Sequence, residues 1–192
     1  MDDVLHALRI KGRARAAEVA AVVGRSAEDV EKQLDGFAAD GLAVERMSGR
    51  RPGWLLTAAG RERAAAQLEQ ALDATARDQL GDSYSGFLKA NDEVKRVCAG
   101  WQTTSSDGER FELLDEMHEL HDAVAPVLDE AGAVVERFRR YRARLSAALE
   151  RVPEDPRYMV SPSVDSIHTV WFECHEDFLL SLGRSRAEEG SF

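Results

Sequence analysis

Residues 24–66, GRSAEDVEKQLDGFAADGLAVERMSGRRPGWLLTAAGRERAAA, constrain the fold more than any other stretch of the chain. Ser26 has the character of an N-cap, and Glu28 and Asp29 follow it in a first turn, where carboxylates favour the positive end of a helix. Val30, Leu34 and Phe37 recur at i, i+4 and i+7, which makes one apolar face of a helix from Ala27 to about Ala39, closing near Gly41. Leu42-Ala43-Val44-Glu45-Arg46 and Trp54-Leu55-Leu56 are short enough to be two strands. They flank Ser48-Gly49-Arg50-Arg51-Pro52-Gly53, a basic turn rich in Gly and Pro. A further helix opens at Thr57. The residues before this stretch add two helices. The first starts at Asp2-Asp3 with Val4, Leu5, Leu8 and Ile10 on its apolar face and breaks at Lys11-Gly12-Arg13. The second, residues 14–23, stops at Gly24. Two helices separated only by Gly24-Arg25-Ser26 are a helix-turn-helix signal.

Over residues 2–75 the chain resembles bacterial winged-helix transcriptional regulators, MarR-like in the broad sense. Three pieces carry the resemblance: Asp40-Gly41-Leu42-Ala43 at the end of the second helix of the turn, Arg50-Arg51-Pro52-Gly53 in the wing, and Leu56-Thr57-Ala58-Ala59-Gly60-Arg61 opening the next helix. The resemblance implies double-stranded DNA as a partner, with the start of the second turn helix facing the major groove. Among Ser26, Ala27, Glu28, Asp29, Lys32 and Gln33, only Lys32 and Gln33 suit base readout, and Glu28, Asp29 and Glu31 oppose it. Arg46, Arg50 and Arg51 of the wing, with Arg13, Arg15 and Arg25, have the chemistry to hold phosphates.

The formal charge of −10 is unevenly spread. Residues 1–75 hold 11 Lys/Arg against 12 Asp/Glu, and residues 76–192 hold 14 against 23. The acidity therefore lies in the second part, which repels phosphate, and any DNA affinity has to come from a local patch in the first. Residues 57–80 read as one long helix interrupted at Gly81-Asp82-Ser83. Helices follow over residues 84–101, 109–128 (with a bend expected near Pro126), 131–152 and 164–182, and the Pro-rich residues 153–162 connect the last two. In the helix of residues 131–152, Arg137, Arg139, Arg140, Arg142 and Arg144 are expected on the outside. The expectation is a mainly α chain: a winged helix-turn-helix with a small β-wing over residues 1–80, then an acidic all-α domain for dimerisation and effector sensing over residues 81–192.

Four of the five histidines fall on two of these helices. Phe111, Leu114, His118, His121, Ala125 and Leu128 form one expected buried stripe, and Val164, Ile167, His168, Trp171, His175, Phe178 and Leu182 form another. Three uses fit this pattern. The histidines are core residues; or His118, His121, His168, Trp171 and His175 line an effector pocket, with Asn91 and Lys95 one turn apart on a third helix as an anchor for an anion; or His118, His121, His168 and His175 hold a divalent metal in a metal-responsive regulator. Enzyme chemistry has no comparable signal, because neither a Gly-rich phosphate loop nor a Gly-x-Ser-x-Gly elbow occurs. Cys98 and Cys174 suggest no disulfide framework. The charged first 25 residues do not read as a signal peptide, and no apolar run reaches the ~20 residues of a membrane span. The sequence thus points to a non-enzymatic, cytoplasmic, homodimeric DNA-binding regulator with a small-molecule effector. The competing expectation is a winged-helix interaction or ligand-binding module without DNA binding.

Overall fold

The computed structural model describes residues 1–48 and 52–184. It is mainly helical, with one two-stranded antiparallel sheet, and divides into two units, Met1–Asp73 and Ala74–Phe192. Among the described residues no helix is long and apolar enough to cross a membrane.

The first unit contains α1 (Asp3–Lys11), α2 (Ala16–Val23), α3 (Ala27–Ala39), β1 (Ala43–Arg46), β2 (Gly53–Leu56) and α4 (Ala58–Ala71). Local chemistry sets most of these boundaries. The Asp2 carboxylate accepts from the Val4 and Leu5 amides at the start of α1, Ser26 Oγ from the Asp29 amide at the start of α3, and Thr57 Oγ1 from the Gly60 amide at the start of α4; such caps satisfy amides that the helix leaves orphaned. Gly24 closes α2 in the left-handed conformation that glycine adopts without steric cost. The strands pair with Ala43 opposite Leu56 and Arg46 opposite Gly53. Ala14 adds an antiparallel bridge to Trp54, exchanging amide–carbonyl bonds of 3.0 and 2.8 Å. Gly60 is required by a close approach, since a Cβ there would lie 1.9 Å from the Leu42 carbonyl oxygen. Val4, Leu5, Leu8, Val19, Val30, Leu34, Trp54 and Leu56 form the core.

The second unit contains α5 (Ala74–Thr103), α6 (Asp107–Val134), α7 (Phe138–Arg151), the short α8 (Arg157–Val160) and α9 (Ile167–Leu182). Helices α5 and α6 run antiparallel at close range. Gly86 faces Val127 and Gly100 faces Leu113, equal steps in opposite directions along the pair. Helix α9 is the central element: Trp171, Cys174, His175, Phe178 and Leu179 are all buried, and it packs on α5, α7 and α8.

Three element boundaries differ from the sequence reading. The expected helix over residues 57–80 ends at Ala71, because Leu72 turns extended (φ −123°, ψ 120°) and buries its side chain. Helix α5 then runs straight through Gly81-Asp82-Ser83. An internal glycine costs about 1 kcal/mol, and burial of Leu80, Ser83 and Tyr84 on both sides of Gly81 outweighs it. Helix α6 likewise continues through Pro126 to Val134, and the break falls at residues 135–137. There Gly132 lets the next helix fold back, a Cβ at this position being 2.5 Å from Arg139 Cγ. The connection over residues 153–162 holds one short helical turn, α8.

Candidate nucleic-acid interface and the core of the helical unit

The residues expected at the DNA-facing end of α3 are already engaged with one another. Ser26 Oγ caps the helix and donates to Asp29 Oδ2 at 2.7 Å. Lys32 Nζ lies 2.7 Å from Glu28 Oε1, one turn back, and both side chains are mostly exposed. Gln33 is held at both ends, accepting from Arg25 Nη1 at 2.6 Å and donating to Asp2 Oδ2 at 2.7 Å. Glu31 accepts from the Trp54 indole at 3.2 Å, which ties α3 to the sheet. Exposed ion pairs such as Lys32–Glu28 contribute about 0.2–1 kcal/mol, so a phosphate oxygen competes for Lys32 at little cost. Gln33, bound on both sides and half-buried, is less free to read a base edge.

Among the cations assigned to phosphates, Arg13, Arg25 and Arg46 are exposed, and Arg50 and Arg51 lie outside the described residues. Arg15 is exposed as well and pairs with Glu18. The Glu18 carboxylate accepts from the Arg15 amide at 2.7 Å and its guanidinium at 3.1 Å. Burial pushes the Glu18 pKa up, but these bonds and the nearby positive charge outweigh it and leave the group below its ordinary value.

The four C-terminal histidines disperse. On α6 the buried line is Met117, Val124, Leu128 and Ala131, with His121 half-buried beside it. His118 and Phe111 point outward, Phe111 being 70% exposed. Ala125 and Leu128 of the expected stripe are buried and Leu114 is half-buried, while α5 lies against Leu113 and Val127. His121 bridges α6 to α7, its Nδ1 3.2 Å from Asp122 and its Nε2 2.9 Å from Ser146 Oγ. His168 sits against Phe172 of its own helix, ring centroids 4.6 Å apart, and burial lowers its pKa. His175 is buried and its Nε2 meets Tyr84 Oη of α5 at 2.9 Å. Among the described residues no three His, Cys, Asp or Glu side chains are grouped to hold a metal ion, so this fold does not assemble the histidines into the expected metal set.

The expected effector pocket between these helices is filled by side chains. The space between Val94, Met117, His121, Leu145 and Trp171 amounts to about 10 Å³, which is roughly one water. Trp171 stacks on Phe87 with centroids 4.2 Å apart and donates its indole N–H to Asn91 Oδ1 at 3.1 Å. Asn91 is thus a core partner of Trp171. Lys95 lies 3.5 Å from Asp92 on the rim of the same helix.

Two arginines expected outside turn inward. Asp177, wholly buried, accepts from Arg137 Nε and Nη2 at 2.9–3.0 Å, from Tyr141 Oη at 3.0 Å and from Ser181 Oγ at 3.1 Å. One stretch along the seam, Arg144 binds Asp165 and Glu173. Arg137, Tyr141 and Arg144 are spaced i, i+4 and i+7 on α7, and Glu173, Asp177 and Ser181 i, i+4 and i+8 on α9. This sign-matched double register is the signal that could have revealed the pairing. It fixes α9 laterally, because apolar contacts alone would tolerate a slide.

No protein-family model, no curated protein and no solved structure matches the chain.

Proposed function

We propose that this chain is a DNA-binding transcriptional regulator of the winged-helix type that works as a homodimer. In this reading the first unit contacts double-stranded DNA, and the helical unit supplies dimer contacts. A small-molecule effector shifts the population between conformations of different DNA affinity. The observation that carries the reading is the order of the first unit: helices α2 and α3 meet at a glycine turn, a two-stranded hairpin follows, and Ala14 bridges the hairpin's second strand. That succession joins a helix end and a strand pair within one small unit, an order of elements with which winged helices address a major groove and the backbone beside it. The cations Arg13, Arg25, Lys32 and Arg46 give this unit its phosphate-binding chemistry.

Binding of the full chain to its own upstream DNA, followed by fluorescence anisotropy across a salt series, tests the proposal. The expected result is affinity that falls steeply with salt. A folded protein with no affinity at any salt refutes it. One observation favours a second reading, an interaction module without DNA binding: α3 and its C-terminal cap expose Glu28, Asp29, Asp35 and Asp40 against Lys32 alone. Replacing Arg50 and Arg51 by Ala separates the two, since a regulator loses affinity and salt dependence together.

A further inference from the structure

We infer that the groove between the N-terminus of α1 and the outer side of α4 is a binding site for a small carboxylate, and that its occupancy is relayed to α3. The groove has a volume of about 400 Å³ and is lined by Met1, Asp2, Arg63, Ala66, Gln67 and Gln70, with Ala71 at its end. The groove is open to solvent, with Arg63, Ala66, Gln70 and Ala71 exposed and Asp2 and Gln67 half-buried, and it far exceeds the space left beside Trp171.

The lining is rich in donors. Arg63, Gln67 and Gln70 recur at i, i+4 and i+7, so α4 presents them along one face. The Gln67 Oε1 atom already accepts from the Asp2 amide at 2.9 Å, which leaves its Nε2 donors for a ligand. The Asp2 carboxylate is likewise engaged: Oδ1 takes the Val4 and Leu5 amides at 3.0 Å each and Oδ2 takes Gln33 at 2.7 Å. What the groove offers is therefore a guanidinium and two carboxamides beside the exposed Ala66 and Ala71. A guanidinium fork binds a carboxylate through two parallel hydrogen bonds, and the alanines accept a short apolar body.

The same residues begin a polar chain that ends at α3. Gln67 of α4 holds the Asp2 amide, Asp2 holds Gln33, and Gln33 holds Arg25 in the turn before α3. A carboxylate held by Arg63 and Gln67 Nε2 turns the carboxamide whose other end holds the Asp2 amide, and through Asp2 it biases the position of Gln33 and Arg25. The consequence for DNA affinity rests on the proposed DNA-binding reading; the binding step does not.

Titration of the ¹⁵N-labelled full chain with sodium butyrate tests the site, with butyramide and n-butylammonium chloride as neutral and cationic controls of equal length. The expected result is saturable shifts of the Asp2, Gln67 and Gln33 signals and of the Arg25 and Ser26 amides, with butyrate alone. Arg63→Gln should weaken binding about tenfold, one charge-assisted bond's worth, and Arg63→Lys should retain part of it. In Gln33→Leu, Gln67 should still respond while Arg25 and Ser26 fall silent. A Kd weaker than about 100 mM, an equal response to all three compounds, or unchanged binding in Arg63→Gln overturns the site. Shifts confined to Gln67 in the native chain overturn the relay. A protein that binds butyrate and not DNA refutes the regulator reading and leaves the site standing, and DNA binding without any butyrate response does the reverse.

Discussion

The Tyr84 hydroxyl lies 2.9 Å from Nε2 of His175, a contact that joins α5 to α9 across 91 residues of sequence. Both residues are buried, and their rings stack at 5.7 Å between Phe87 and Phe178. A polar contact within an aromatic cluster makes each partner depend on the other, because a buried imidazole nitrogen or hydroxyl left unmatched costs about 1–3 kcal/mol. Tyr84→Phe keeps the ring and removes only the hydroxyl. It should lower stability by about that amount in urea unfolding, with little change in helix content by circular dichroism.

Asp177 should be the most sensitive single position in the second unit. Removing one member of a buried, hydrogen-bonded ion pair costs about 3–5 kcal/mol, since the opposite charge stays buried without compensation. Asp177→Asn strands Arg137 in this way, and the urea midpoint should fall accordingly. The double variant Arg137→Met with Asp177→Leu removes both charges at once and should recover a substantial part of the loss. If the double variant is as unstable as the sum of the single ones, the seam is not held by mutual neutralisation.

What could be read from the sequence was what local chemistry decides. Ser26 caps the helix it was expected to cap, a helix opens at Thr57 as read, and the strand pair falls within one residue of its expected limits. Beyond the three shifted boundaries at Leu72, Gly81 and Pro126, the failures concern which way a helix face points. On α6, Phe111 and His118 belong to a stripe of ideal periodicity and are exposed, while Ala125 and Leu128 of the same stripe are buried. The arginines of α7 were assigned to solvent by charge alone, yet Arg137 and Arg144 are only 13% and 11% exposed at their side chains. Periodicity within one helix carries no information about the charges on the helix that will cover it.

Both thiols should be inert in the folded chain. Burial pushes the Cys98 pKa up to about 12, and Cys174 is raised well above its ordinary range by burial and by the neighbouring Asp177. At pH 8 a thiol with that pKa is thiolate only on the order of one part in 10⁴, and the thiolate is the reactive form. Ellman's reagent should therefore label neither cysteine in native buffer at pH 8 and both in urea. Rapid labelling of Cys174 in the native protein would show that α9 opens readily.

Acid should destabilise the chain through His168 among other groups. Burial disfavours its charged form, so its folded pKa lies below the ordinary 6.5. A lowered pKa means that the folded state binds fewer protons, so this contribution is fully present above about pH 6.5 and is lost as the pH falls through the folded pKa. One proton limits the slope to about 1.4 kcal/mol per pH unit. His168→Gln should flatten the dependence of the urea midpoint on pH below 6.5, and an NMR titration of the native ring should give a midpoint below that of a model imidazole.

The ion pair between Lys32 and Glu28 gives a direct handle on the proposed DNA contact. In the native chain Lys32 is paired with a carboxylate one helical turn away, which would repel phosphates if α3 faces DNA. Glu28→Gln removes a negative charge and frees the ammonium without altering the Ser26 cap, which binds the Asp29 amide. Because the pair is exposed and worth at most about 1 kcal/mol, fold stability should change little. If α3 faces DNA, affinity should rise at low salt, and the slope of log K against log salt should steepen by about 0.9 for the one added phosphate contact. Lys32→Ala should do the opposite. If neither variant moves the affinity or its salt slope while Arg46→Ala lowers both, the contact is made by the hairpin side of the unit and α3 faces away from the duplex.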